Sequence, residues 1–130
     1  MTNILLDGSS KTPTVHFDGT TGQLELRGRS IPENSIEFYK PLIDWVDQYA
    51  HTPKANTRLR VQLEYFNTSS SKCILDLFTK LEAVRSTGGE VIVEWHYEAD
   101  DEDMLEAGED YQAIINLPFK MIQIEEVDGK

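Results

Sequence analysis

A chain of 130 residues with 39% hydrophobic content suits one domain, and its formal net charge of −11 argues against a nucleic-acid or anionic-membrane surface, since both reward clustered Lys and Arg. The opening MTNILLDGSS lacks a basic stretch followed by a long apolar one, and no run approaches the roughly eighteen apolar residues of a membrane span, so neither a secretion signal nor membrane insertion is expected. The lone Cys73 makes no internal disulfide, which fits a cytoplasmic location.

The first expected element is a strand at Thr14 to Asp18, joined through the turn DGTTG to a second at Gln23 to Gly28 as a hairpin. Leu24 and Leu26 alternate with Gln23, Glu25 and Arg27, which gives the second strand one wet face. PENSIEFYKPLIDWVDQYA reads as the first helix, with Asn34 as N-cap and Glu37 three residues later in a capping-box relation. Its apolar arc runs through Ile36, Tyr39, Ile43 and Val46, flanked by Phe38, Leu42, Trp45 and Tyr49. Pro41 removes a helix-interior N–H at a cost of about 3 kcal/mol, so this helix is either kinked there or begins near Lys40.

Thr57 to Phe66 alternates as a strand, with Leu59, Val61, Leu63 and Tyr65 on one face and Arg58, Arg60, Gln62 and Glu64 on the other. A run of hydroxyls follows, and from Lys72 to Thr87 the residues Ile74, Leu77, Phe78, Leu81 and Val84 fall at helical spacing before Gly88-Gly89 ends the helix. Glu90 to Tyr97 is again a strand, with Val91, Val93, Trp95 and Tyr97 opposite Glu94 and His96. A third helix is expected across Asp101 to Ile115, carrying Met104, Tyr111 and Ile115 on one stripe; Pro118 stops it, and Phe119 to Glu125 returns as a final strand. Strand, helix and strand in succession imply parallel neighbours joined right-handedly. Strands covered on both sides would be apolar throughout, yet three of these alternate. The expected fold class is therefore α/β in two layers: a mixed sheet of about five strands with the helices mainly on one face.

No catalytic constellation is visible. His16, His51 and His96 stand far apart, there is no H-E-x-x-H, paired cysteine or G-x-S-x-G pattern, and RSTGGE follows a helix where a phosphate loop would precede one. No cofactor and no metal site is expected. His96 beside Glu94 reads as a solvated surface residue; a small ligand-binding or enzymatic domain using Glu94 and His96 is the alternative, which a deep pocket lined by both would favour. From Glu98 to Asp110 lie eight acids and no base, so the remainder of the chain is nearly balanced. Asp100 to Asp103 are consecutive and lack the order of a calcium loop, so they read as a solvated helix start, compatible with a basic partner. Cys73, four residues before Leu77, reads as a small buried residue.

The hydroxyl run NTSSS at Asn67 to Ser71 exceeds what a helix start needs, because Thr68 or Ser69 alone would supply the N-cap. It also lies beyond the carboxyl end of a strand, where α/β sheets present functional groups. A phosphoryl group there, about −1.5 to −2 charges, is tolerated by the helix dipole and rewrites the electrostatics of any partner laid across the loop.

GRSIPENSIEFYKPLIDWVDQY, LEYFNTSSSKCILDLFTKLE and VEWHYEADDEDMLEAGEDY together resemble the SiaC family of bacterial regulatory phosphoproteins, over the span Pro13 to Pro118, with Asn-Thr-Ser-Ser the most specific part. The fold of that family is similar to the STAS domain of anti-sigma factor antagonists. The resemblance implies a STAS-like, non-enzymatic partner-switching protein in which Thr68 matches the phosphorylated threonine. Its implied partners are a serine/threonine kinase with a histidine-kinase-like ATP fold, a PP2C-type phosphatase, and a diguanylate cyclase that the unphosphorylated form binds and activates in c-di-GMP and biofilm signalling. The expected partner-binding residues are Asn67, Thr68, Ser69, Ser70, Ser71 and Lys72. The same architecture would serve an anti-sigma factor antagonist that binds an anti-sigma kinase. Pro41 and the acids Asp100 to Asp103 depart from the family pattern.

Overall fold

In the computed structural model, which describes residues 2–124, the alternating segments become strands and the 3.6-periodic ones helices. In chain order they are β1 (Ile4–Leu6), β2 (Thr14–Asp18), β3 (Gln23–Ser30), α1 (Ser35–Tyr49), β4 (Asn56–Phe66), α2 (Thr68–Ser86), β5 (Glu90–Glu98), α3 (Glu102–Ile114) and β6 (Phe119–Ile124). Among the described residues the sheet has six strands in sequence order, antiparallel from β1 to β3 and parallel from β3 to β6. Each parallel step moves the same way across the sheet, and a right-handed crossover repeated in one direction delivers its helix to the same face every time. The two-layer α/β arrangement follows, with one strand more than the alternation suggested. That strand is β1, three residues long with Leu5 and Leu6 both exposed, too short to carry a periodic signal. Glu125, assigned to the last strand on sequence grounds, lies outside the described residues.

The apolar core lies between the sheet and the helices. Phe17, Leu24, Leu26, Leu59, Val93 and Trp95 from the sheet meet Tyr39, Leu42 and Tyr49 of α1 and Ile74, Leu77, Phe78 and Leu81 of α2, all with at most 1% exposure. Each side chain of this size contributes about 1.5–3 kcal/mol on full burial. Cys73 is buried among them, and burial, with a smaller push from Asp76, raises its thiol pKa.

Three local readings are corrected. Helix α1 runs from Ser35 through Pro41 to Tyr49, so it does not begin near Lys40; Pro41 is exposed, where solvent can take up the Glu37 carbonyl that loses its donor. The buried stripe of α1 is Ser35, Tyr39, Leu42, Trp45, Val46 and Tyr49, which turns Ile36 out to 74% exposure instead of placing it on the apolar arc. Tyr65 is likewise exposed, at 52%, because the pairing of β3 with β4 slips at a bulge between Gly28 and Arg29.

Close packing of α3 on the sheet depends on Gly108. A Cβ there would stand 2.5 Å from Trp95 Cδ1 and 2.6 Å from Met121 Cε. The Trp95 indole N–H, buried, donates to the Met104 carbonyl at 2.9 Å and pins the start of α3 over β5.

Candidate functional site

Beyond Asn67 the hydroxyl run is not a strand-to-helix loop but the first turn of α2, which starts at Thr68 where β4 ends, at the carboxyl edge of the parallel strands. Its N-cap is Asn67, and neither Thr68 nor Ser69 takes that role: the Asn67 side-chain oxygen accepts from the Ser70 N–H at 2.8 Å. The Asn67 N–H donates to the Ser30 carbonyl at 3.1 Å, which ties the start of α2 to the end of β3.

The hydroxyls divide into two kinds. Ser70 is 0% exposed; its Oγ donates to the Ser30 carbonyl at 3.0 Å, accepts from Ser30 Oγ at 2.9 Å and lies 3.2 Å from Ser35 Oγ. Ser30 Oγ in turn stands 2.6 Å from the Tyr39 hydroxyl, whose pKa burial pushes up. Ser69 Oγ donates to the Asn67 side chain at 3.2 Å and lies 2.8 Å from Ser35 Oγ. The Tyr111 hydroxyl donates to the Ser71 carbonyl at 2.8 Å, so its proton is committed and the Ser71 hydroxyl, 3.0 Å away, is the donor between the two. Burial, partly opposed by that bond, pushes the Tyr111 phenol up to about 12. The three serines thus staple the first turn of α2 to β3, α1 and α3.

Thr68 is the exception. It is exposed, and its hydroxyl makes no hydrogen bond among the described residues. Of the residues expected to face a partner, Asn67 and Ser71 are half-buried, Thr68, Ser69 and Lys72 are exposed, and Ser70 turns wholly inward. Four participants gave no sequence signal: Ser30, Ser35, Tyr39 and Tyr111 come from three other elements, and Tyr111 reads as one more residue of an apolar stripe.

Glu94 and His96 do not form a joint site. The Glu94 carboxylate is held on the open face by Arg58 at 3.7 Å and Arg60 at 4.0 Å. A cavity of about 290 Å³ is lined by His96, with Thr14, Arg27, Gln62, Glu98 and Asp101, and Glu94 is not part of its wall. His96 is half-buried where a solvated residue was expected; its Nε2 is sealed from solvent without a hydrogen-bond partner among the described residues. Burial, and secondarily Arg60, lowers its pKa despite Glu94 and Glu25. The acids of the 98–110 segment are put to local use at the start of α3, where the Asp101 side chain accepts from the Met104 N–H at 3.0 Å and caps the helix.

Comparison with known proteins gives one consistent result. Residues 6–124 match the family described as SiaC family regulatory phosphoprotein. An uncharacterised protein of Pseudomonas aeruginosa is 33% identical over 119 residues, which cover 92% of this chain and 94% of that one. Among solved structures, apo-SiaC of Pseudomonas aeruginosa superposes with a TM-score of 0.84 at 32% identity, over 94% of this chain and 99% of that chain. A chain in the crystal structure of the diguanylate cyclase SiaD in complex with its activator SiaC, from the same organism, superposes at 0.86 with 31% identity, over 93% and 99%. The sequence match over nearly the whole length and the shared fold agree, and the chain belongs to the SiaC family of regulatory phosphoproteins.

Proposed function

We propose that this chain is a cytoplasmic, non-enzymatic partner-switching regulator, which binds and activates a diguanylate cyclase while Thr68 is unphosphorylated and releases it once Thr68 carries a phosphoryl group. The observation that carries the reading is the division of the hydroxyl run: Thr68 is exposed and unbonded among the described residues, while Ser69, Ser70 and Ser71 are engaged in the scaffold. A kinase with a histidine-kinase-like ATP fold transfers the γ-phosphoryl of ATP to Thr68 Oγ1, whose proton leaves; a PP2C-type phosphatase hydrolyses the ester. The relative named as an activator in complex with a diguanylate cyclase supports that choice of partner.

The staples define what kind of switch this is. Because Ser70 and Ser71 hold the first turn of α2 to its neighbours, phosphorylation changes the charge of the surface more than its shape. A dianion enclosed by a docked partner loses its hydration, and that loss exceeds what one added hydrogen bond returns. Mass spectrometry of the protein incubated with its kinase and ATP tests the acceptor. The reading expects a single phosphate on Thr68 and none on Thr68→Ala; phosphate on Ser69 or Ser71 at equal occupancy would contradict it.

A further inference from the structure

Tyr65 is the residue of β4 that strict alternation buries and the fold exposes. Gly28 pairs with Leu63 and Arg29 pairs with Tyr65, so Glu64 is the extra residue of the bulge. The slip turns Phe66 to the covered side, where its ring lies edge-on to Trp95 at 6.1 Å, and Tyr65 to solvent. Core packing accounts for Phe66 and leaves the Tyr65 ring 52% exposed at the end of β4.

The exposed ring is three residues from Thr68, on the same strand end. Beside it a recess is lined by Glu64, Phe66, Asp101, Asp103 and Met104. On the helix-covered side of the loop, Ile36 is exposed next to Ser35, whose Oγ reaches Ser69. Two large apolar side chains are therefore exposed on the segments that meet at the start of α2, one accompanied by acids. Rigid aromatic rings in this setting are the usual anchors of protein interfaces, contributing much apolar area for little lost freedom.

We infer that Tyr65 is an anchor of the surface that docks the diguanylate cyclase, its ring entering an apolar pocket of the partner whose rim carries Lys or Arg opposite Asp101 and Asp103. The inference rests on the proposed function and deepens it. Continuity with Thr68 at the start of α2 selects the partner, and the acids around the recess select the charge of its rim. Docking on Tyr65 covers the adjacent first turn of α2, which is what makes a phosphoryl group there intolerable.

The test uses the full chain and the cyclase, titrated at low and moderate salt with Tyr65→Ala, Tyr65→Phe, Asp103→Asn and the pair Thr68→Ala and Thr68→Glu. Tyr65→Ala should weaken binding about tenfold or more, Tyr65→Phe less than about threefold, with thermal midpoints close to the parent. Asp103→Asn should weaken binding modestly and reduce its salt dependence. Parent-like affinity for Tyr65→Ala alongside a large gap between Thr68→Ala and Thr68→Glu would overturn the anchor and leave the switch standing. Unchanged salt dependence in Asp103→Asn would remove the basic rim. Absence of cyclase binding by the parent would overturn the proposed function and this inference with it.

Discussion

Among the described residues all three helices begin where a parallel strand ends, and each opens on a side-chain cap: Asn34, Asn67 and Asp101 accept from the N–H three residues on, at 3.0, 2.8 and 3.0 Å. Beyond the cap they part. The first turn of α1 carries Glu37 and that of α3 carries Glu102 and Asp103, while that of α2 carries no acid. An exposed negative charge at a helix start contributes about 0.3–1 kcal/mol. Helices α1 and α3 hold theirs permanently; on the proposed function, α2 receives its own only when Thr68 is phosphorylated. The helix then favours the phosphoryl group locally while the docked partner does not, so the modification costs the free protein little and the complex much.

Several substitutions sharpen that contrast. The largest effect belongs to Thr68→Glu, which should weaken cyclase binding on the order of a hundredfold or more, whereas Thr68→Ala stays within about threefold. Next is Ser70→Ala, which strips the buried Ser30 and Ser35 groups of a partner and should lower unfolding free energy by about 1–3 kcal/mol, read by denaturant titration. Asn67→Ala removes the cap of α2 and should cost about 1 kcal/mol in the same assay.

Tyr111→Phe costs less, about 0.5–1 kcal/mol, and has a distinctive pH dependence. The phenol is raised in the folded state to about 12, so below its unfolded value near 10 both states keep the proton and nothing is lost. Above pH 10 the unfolded chain ionises first and stability falls towards pH 12. The phenylalanine variant should lose part of that decline, Tyr39 supplying the rest. Smallest of all, Thr68→Ala should leave stability within about 0.5 kcal/mol of the parent. A Thr68→Ala chain as destabilised as Ser70→Ala would erase the distinction between the Thr68 hydroxyl and the staples.

The helix-covered half of the fold was legible because burial writes itself as period: Leu24 and Leu26 in β3, Leu59 to Leu63 in β4, and Ile74 to Val84 in α2 all point where their spacing says. Failures came where one residue breaks a period. The bulge at Glu64 reverses the sense of Tyr65 and Phe66, and the phase of α1 is set by Tyr39, Leu42 and Tyr49, which leaves Ile36 outside. The site was half legible. A surplus of hydroxyls is visible in a string of letters, but their division is not, because the partners of Ser70 and Ser71 lie 40 residues away on either side. Nor does a pattern of alternating residues distinguish an open face that is fully wet from one that seals the Nε2 atom of His96.

On the proposed function, one charge at Thr68 decides docking while the first turn of α2 keeps its shape. Calorimetric titration of the diguanylate cyclase with unphosphorylated protein and with protein phosphorylated to completion by its kinase measures this directly. Tight binding by the first is expected, and a loss on the order of a hundredfold or more by the second. Equal affinities for the two forms would contradict it.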